Sequence, residues 1–267
     1  METGQPSRTA WSAARYRAAH QLIERGAIFP DPFAVRILGV PPDELVADAP
    51  RRAMRVFIAA RHRFAEDALA AAVSRGVRQV VVLGAGLDTF AYRNAFDGVR
   101  VIEVDHPDTQ AWKRERLAAT GIEIPPSVSY AGVDFETATL ASSLKLDGPA
   151  FFLWLGVVPY LTPEGFTATI SYISELAGSE VVFDYAQPPS TMPPARRVAL
   201  EERAARVARI GEPWLTYFEP EEIAARLREL GFREIEDLGP AQLAARFFDR
   251  HDVPPGTPGG HLLRAVR

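Results

Sequence analysis

The sequence predicts an α/β fold, with a doubly wound, seven-stranded, mostly parallel sheet behind an N-terminal helical cap. Segments 11–26 and 51–75 space their apolar residues three and four positions apart, which is typical of helices, and Gly26 and Gly76 follow as stop signals. From residue 79 onward, short apolar strand patterns alternate with helical ones, the order that builds a doubly wound sheet. The first of these strands runs into a glycine-rich turn.

Each later element has its own local signal. Runs of apolar and β-branched residues predict seven strands, near 79–83, 99–105, 128–134, 150–155, 180–185, 232–237 and 261–266. Pro107 and Gly121 bracket a crossover helix, because proline fits a first helical turn and glycine ends a last one. Thr162, just before Pro163, is expected to cap the helix after the fourth strand. The last two strands are compatible with an antiparallel edge strand.

We expect a single domain, with residues 1–78 as the helical cap and 79–267 as the core. The chain has 267 residues and 47% hydrophobic residues, enough for one large α/β domain. An insertion near 186–216 combines a proline-rich stretch with a helical one, and is either a lid over a substrate site or a plain surface segment.

Composition excludes several classes of function. The formal net charge is −4, so no basic field is available to recruit nucleic acid or anionic lipid. The chain has no cysteine, and its five histidines lack ligand-like spacing, so we expect no metal. No apolar run reaches membrane-spanning length. These features predict a cytoplasmic protein without a nucleic acid or membrane partner, and they leave the oligomeric state open.

The glycine-rich turn predicts a nucleoside cofactor. Gly84 and Gly86 let backbone amides approach a ligand, and Glu103 or Asp105 at the end of the second strand can accept hydrogen bonds from a ribose diol. A dinucleotide is disfavoured, because Thr89 stands where the pyrophosphate motif wants a small residue and Asp88 would repel a diphosphate. S-adenosylmethionine carries no phosphate and suits acidic surroundings. A nicotinamide-dependent oxidoreductase and a non-catalytic S-adenosylmethionine-binding protein are the alternatives.

The motifs together resemble one family. Leu-Gly-Ala-Gly-Leu-Asp-Thr at 83–89, Tyr92-Arg93, and Glu-Val-Asp-His-Pro at 103–107 are similar to the leucine carboxyl methyltransferase family, especially its bacterial O-methyltransferases, which include polyketide enzymes of secondary metabolism. The resemblance extends from about residue 8 to the end of the chain. It implies a class I methyltransferase, Rossmann-like fold, S-adenosyl-L-methionine as methyl donor, S-adenosyl-L-homocysteine as product, and a small-molecule acceptor.

The resemblance also implies a set of cofactor-binding residues. Arg61 matches an arginine that binds the methionine carboxylate, and Arg17, with Arg15 close behind, matches a further basic residue. The glycine turn would lie against the methionyl part, Asp105 would bind the ribose with Glu103 sharing the diol, and Asp134 would accept from the adenine amino group. The turn itself comprises Gly84, Ala85 and Gly86.

One position departs from the family pattern. Leu155 stands where family members commonly carry a glutamate near the cofactor's amino group, so ammonium binding falls to backbone carbonyls or to Asp88. This argues against a protein leucine carboxylate as the acceptor. A carboxylate acceptor needs no base, whereas a hydroxyl acceptor must lose a proton, and Tyr160 is the catalytic candidate to receive it. The other candidates for that proton are His20, His106 and His251.

Overall fold

The computed structural model describes residues 7–47, 49, 51–135, 140–209 and 211–267. By packing, the chain divides into two compact units, one ending at Asp134 and the other beginning at Phe135. The first of these units contains the segment expected as a helical cap, residues 1–78, and the first three strands. The single-domain organisation stays a prediction.

The first unit begins with the predicted cap helices. Helix α1 (Arg8–Ile23) starts where the Ser7 hydroxyl oxygen accepts the N–H of Ala10 at 3.1 Å, and α3 (Arg52–Ser74) packs against α1. The short α2 (Pro42–Ala47) lies between them in sequence. Both long helices confirm the sequence patterns to within three residues.

Three parallel strands complete the first unit. They are β1 (Gln79–Leu83), β2 (Arg100–Asp105) and β3 (Val128–Gly132), in the spatial order β3-β2-β1. Their carboxyl ends meet at one edge, since Leu83 pairs with Val104 and Asp105 pairs with Gly132. Helix α4 (Phe90–Arg93) follows the glycine turn, and α5 (Pro107–Ala119) is the predicted crossover helix.

The second unit carries the remaining elements. These are α6 (Leu140–Ser143), β4 (Phe151–Trp154), α7 (Pro163–Ser174), β5 (Glu180–Ala186), α8 (Pro194–Ala208), α9 (Pro220–Glu229), β6 (Glu234–Leu238), α10 (Pro240–Phe248) and β7 (Gly260–Val266). Thr162 caps α7 as predicted, its hydroxyl accepting the N–H of Gly165 at 3.1 Å. Trp154, Phe166 and Phe183 stack at the centre of this unit's core.

The last two strands are antiparallel to each other, as the sequence allowed. Strand β7 is antiparallel to both β5 and β6, but it lies between them, and β6 is the terminal strand. The reason is burial, because Leu262, Leu263 and Ala265 place apolar side chains on both faces of β7. Strand β6 has an exposed or half-exposed acidic sequence, which suits an edge.

The first unit contributes three parallel strands, and the second contributes a parallel pair, β4 and β5, together with β7 and β6, seven strands in all, as predicted for this α/β fold. None of the helices within the described ranges has the length and apolar character needed to cross a membrane. Helix α8, described over its full length, buries none of its side chains, which agrees with its expected position in an insertion. Its action as a lid stays a prediction.

Candidate functional site

The glycine turn after β1 has the backbone that its sequence requires. Gly84 and Gly86 lie in the left-handed region, with φ of +60° and +44°, where a Cβ is disfavoured. The N–H of Ala85 donates to the Val104 carbonyl at 3.1 Å, which holds the turn against the end of β2. A Cβ at Gly86 would also come within 3.1 Å of the Ala10 side chain. Helix α1 therefore packs directly on the turn.

Asp105, at the end of β2, is joined to this turn. Its Oδ2 accepts the N–H of Gly86 at 2.5 Å, and its Oδ1 accepts the N–H of His106 at 2.7 Å. Burial raises the pKa of Asp105, and these two N–H donors oppose that rise. A carboxylate has about four acceptor positions, so each oxygen keeps one for a further donor. This arrangement matches the two hydroxyls of a ribose diol.

Glu103 has a different role from the one expected. Its side chain is 1% exposed, and its oxygens accept from Lys113 Nζ and from the Tyr92 hydroxyl, both at 2.8 Å. The carboxylate is thus engaged by a buried ion pair within the first unit. The structure does not support its sharing of a diol with Asp105. The two residues stand on the same side of β2, so strand periodicity alone could not separate them.

Asp88 also serves the turn instead of facing outward. Its Oδ1 accepts the N–H of Phe90 at 2.6 Å, and its Oδ2 lies 3.2 Å from His62 Nε2. Burial opposes its ionisation, yet the His62 hydrogen bond and charge, with Arg17 and Arg93, hold the pKa of Asp88 well below its usual range. Each oxygen of Asp88 already has one partner within the protein, and the ammonium contact expected of Asp88 stays a prediction.

The two predicted arginines are both buried. Arg61 is 6% exposed on α3, whereas Arg63 on the same helix has a side chain that is 49% exposed. Arg61 is therefore no ordinary solvated charge. Arg17, 3% exposed, donates from Nε to Asp31 Oδ2 at 2.7 Å and from Nη2 to the Leu87 carbonyl at 2.5 Å. Two of its three nitrogens thus hold the protein's own groups.

Asp134 lies two residues beyond β3, close to the ribose-binding candidate. The N–H of Val133, the residue before it, donates to the Asp105 carbonyl at 2.9 Å. This contact brings the start of the segment after β3 next to Asp105. The half-buried Asp134 is consistent with an adenine contact beside a ribose contact, and that role stays a prediction.

In the second unit, the residues after β4 include two of the predicted site positions. Leu155 follows β4 directly, and Tyr160 ends a 3₁₀ turn, Val158–Tyr160, with its ring edge-on to Trp214 at 6.5 Å. One carboxylate close to these residues was not predicted. Asp184 on β5 accepts the N–H of Gly156 through Oδ1 at 2.5 Å, so an acidic group lies beside the backbone that follows Leu155.

The three histidines considered as proton acceptors have other surroundings. His20 is fully buried, and burial lowers its pKa despite the nearby Glu24. His106 caps α5, its Nδ1 accepting the N–H of Asp108 at 3.2 Å. His251 is largely exposed beside Asp249. Across the described ranges, no three acidic or histidine side chains converge as metal ligands.

A buried network beneath the turn was not predicted. It comprises two hydrogen-bonded groups, one of Arg17, Asp31, Glu66, Thr89 and Arg93 and one of His62 and Asp88. Its members come from four separate segments, and no spacing rule connects residues so far apart in sequence. Only the position of Thr89 and Arg93 next to the glycine motif was a usable signal.

The sequence profile described as leucine carboxyl methyltransferase matches residues 10–174, more than half of the chain. The chain belongs to the leucine carboxyl methyltransferase family. YktD of Bacillus subtilis (strain 168), which carries the name of an S-adenosyl-L-methionine-dependent methyltransferase, is 33% identical over 78% of this chain and 71% of its own length. A similarly named protein of Mycolicibacterium gilvum is 36% identical over 55% of this chain and 50% of its own length.

Two solved structures are similar in fold. A DUF574-family protein from Streptomyces avermitilis has a TM-score of 0.54 and 18% identity over 98% of both chains. Magnesium protoporphyrin IX methyltransferase from Synechocystis PCC 6803, solved with bound SAH, has a TM-score of 0.50 and 14% identity, covering 96% of this chain and 99% of that one. These similarities concern the fold alone, and they confirm the predicted fold class.

This family member is an S-adenosylmethionine-dependent methyltransferase, as the sequence predicted. The first unit fits the cofactor, because Asp105 retains acceptor capacity, Gly84 and Gly86 of the turn carry no side chain, and Arg61 is a buried cation. The oxidoreductase and the non-catalytic binding protein are both set aside by family membership.

Proposed function

We propose that this methyltransferase moves a methyl group from S-adenosylmethionine to an oxygen of a small molecule, either a carboxylate or a hydroxyl. The observation that carries the proposal is the joining of the glycine turn to the end of β2 through Gly86 and Asp105. The family's description names a carboxyl acceptor, which supports oxygen as the atom methylated.

The proposed cofactor contacts follow from the geometry of the first unit. Asp105 accepts from the ribose hydroxyls, and the backbone of Gly84, Ala85 and Gly86 lies along the methionyl part. Arg61 meets the methionine carboxylate, since a guanidinium offers a planar, two-pronged hydrogen-bonding group to a carboxylate. Asp134 meets the adenine amino group. Arg17 contributes by holding the Leu87 carbonyl, and any direct carboxylate contact would use its remaining nitrogen.

The enzyme promotes methyl transfer mainly by aligning the methyl donor with the acceptor. When bound, S-adenosylmethionine supplies an electrophilic methyl group, and its positive charge disappears as the acceptor oxygen attacks. Holding two reactants in attack geometry lowers a barrier by roughly 7–11 kcal/mol, more than a general base usually contributes. A carboxylate acceptor needs no proton transfer. For a hydroxyl acceptor, Tyr160 of the second unit is the side chain we propose to receive the proton.

The acceptor is proposed to be a small molecule because the family's glutamate is replaced by Leu155. The cytoplasmic location and the role in secondary metabolism expected from the sequence stay predictions.

Two measurements test the proposal in order. Calorimetry with S-adenosylmethionine, S-adenosylhomocysteine and NAD⁺ should show binding of the two adenosyl ligands and none of NAD⁺. Transfer of labelled methyl groups is then measured with small aromatic and aliphatic carboxylates, with phenols, and with a peptide ending in leucine. Label on a small carboxylate or phenol supports the proposed acceptor class. Label on the peptide alone refutes it.

A further inference from the structure

We infer that His62 is a positioning residue for the cofactor site, holding the glycine turn in its binding conformation through Asp88. The inference rests on the proposed cofactor contacts of the first unit. His62 belongs to α3, outside the sequence motifs of the turn, and it contacts Asp88 Oδ2, whereas Asp88 Oδ1 accepts the N–H of Phe90.

The surroundings of His62 require a doubly protonated imidazole. Its Nδ1 lies 2.8 Å from the Ile58 carbonyl oxygen, and its Nε2 lies 3.2 Å from Asp88 Oδ2. A carbonyl oxygen and an ionised carboxylate can only accept hydrogen bonds, so both nitrogens must donate. The side chain is 3% exposed and packs on the Phe29 ring at 5.4 Å, which leaves little room for water to substitute.

The charges around His62 balance only when it carries this extra proton. Arg17 and Arg93 supply two positive charges and are paired with the carboxylates of Asp31 and Glu66, whereas the carboxylate of Asp88 is paired with His62. A charged His62 makes three of each sign. A neutral His62 would leave a buried negative charge uncompensated, which is strongly unfavourable in a low-dielectric interior.

Holding Asp88 fixes the turn that precedes it. The N–H of Asp88 donates to the Ala85 carbonyl at 2.7 Å, which closes the turn containing Gly86. Asp88 Oδ1 begins α4 through the N–H of Phe90, and Arg17 holds the intervening Leu87 carbonyl. The Gly86 N–H donates to Asp105. The orientation of this N–H is therefore set by a segment that is anchored at Asp88.

The experiment compares cofactor affinity in three variants of the full chain. His62→Phe keeps an aromatic ring without donors, His62→Gln keeps one neutral donor, and Arg55→Gln is the matched control. Arg55 is a buried residue of the same helix, 6% exposed, whose ion pair with Glu24 does not touch the turn. S-adenosylmethionine affinity is measured by calorimetry, stability by thermal melting, and kcat and KM by methyl transfer.

We expect His62→Phe to weaken S-adenosylmethionine binding about 10-fold, within the range for loss of a charge-assisted hydrogen bond. His62→Gln should lose about 3-fold, and Arg55→Gln should melt at lower temperature with unchanged affinity. At saturating cofactor, kcat should stay within about 3-fold in all three, because the turn binds the donor and holds no reacting atom.

Two readouts separate positioning from packing. A raised KM for S-adenosylmethionine with kcat retained is the sign of a displaced cofactor site, whereas a packing defect lowers the melting temperature without that split. His62→Gln, which keeps one donor, should recover part of the affinity that His62→Phe loses.

Two results overturn the inference, and they are distinguishable. If the wild-type protein binds S-adenosylmethionine but His62→Phe and His62→Gln bind it within twofold of wild type, His62 only stabilises the fold. If His62→Phe does not fold, the affinity and KM of His62→Gln decide alone. If the wild-type protein binds no S-adenosylmethionine, the proposed cofactor site itself fails, and the inference fails with it.

Discussion

The backbone N–H of Gly86 donates to Asp105 Oδ2 at 2.5 Å. This bond joins the turn after β1 to the end of β2, two segments that the sequence separates by a helix and a loop. It places an acidic acceptor beside backbone that carries no side chain, which is the combination that a nucleoside cofactor needs. Substitutions can separate the side chains that depend on this relationship from those that only stabilise the unit around it.

Replacing Asp105 by asparagine should weaken S-adenosylmethionine binding by about 1.5–3 kcal/mol, the usual cost of a lost hydrogen bond to a charged group. The amide keeps the size of the carboxylate, but its NH₂ group cannot accept from Gly86 or from a ribose hydroxyl. Calorimetry with S-adenosylmethionine measures the loss. Asp97→Asn, at an exposed loop position of the same unit, is the control. Equal affinities for the two variants would remove Asp105 from the site.

Gly86 itself is a poor position for such a test. A valine there meets the Ala10 side chain and a left-handed backbone with φ of +44°, so it would strain the fold as well as the site.

Arg61→Ala should weaken binding of S-adenosylmethionine by about 1.5–3 kcal/mol, while leaving adenosine binding unchanged. Adenosine lacks the methionine carboxylate, so the difference between the two ligands isolates the proposed contact. Arg63→Ala, which breaks only an exposed pair with Asp67, should change either affinity by less than about 0.5 kcal/mol. Equal losses for adenosine and S-adenosylmethionine would show that Arg61 acts through the fold.

Lys113→Met should lower the free energy of unfolding by about 3–5 kcal/mol, because it leaves Glu103 buried without its cation. Denaturant unfolding followed by circular dichroism measures the change. At temperatures where the variant is folded, its cofactor affinity should match that of the wild type. A loss of cofactor affinity without a loss of stability would indicate that Glu103 contributes to ribose binding.

Acid should unfold the first unit through Asp31. Burial opposes its ionisation, yet Arg17, Arg93 and Thr89 hold the pKa of Asp31 below its usual range. A lowered folded-state pKa adds stability that is complete above the unfolded value of about 3.9 and is lost as pH falls through the folded value. Asp31→Asn should therefore be less stable than wild type at neutral pH, and the difference should shrink toward low pH. Denaturant midpoints measured across this range provide the check, and a constant difference would contradict it.

The sequence predicted what local patterns encode. The strands, the crossover helix and the Thr162 cap each depend on a few neighbouring residues, and the structure confirms them. The proximity of the glycine turn and Asp105 could also be predicted, because adjacent parallel strands end at the same edge of a sheet. The position of β7 between β5 and β6 could not be predicted from the sequence, since strand order depends on which faces must be buried.

The roles of individual charges could not be predicted, because they depend on partners distant in sequence. Glu103 and Asp105 are equivalent by strand periodicity, and only Lys113 from the next helix separates them. Asp88 was expected to bind an ammonium group, and one of its carboxylate oxygens is in contact with His62 of α3. A buried ion pair leaves no spacing signature, so such residues are recognised only after the helices have packed.

The most direct test of the account is a crystal structure of the protein with S-adenosylhomocysteine. The account predicts that both ribose hydroxyls lie within hydrogen-bonding distance of the Asp105 carboxylate and that the amino-acid part runs along the Gly84–Gly86 backbone. A ligand bound with its ribose away from Asp105, or held by Glu103 instead, would contradict it.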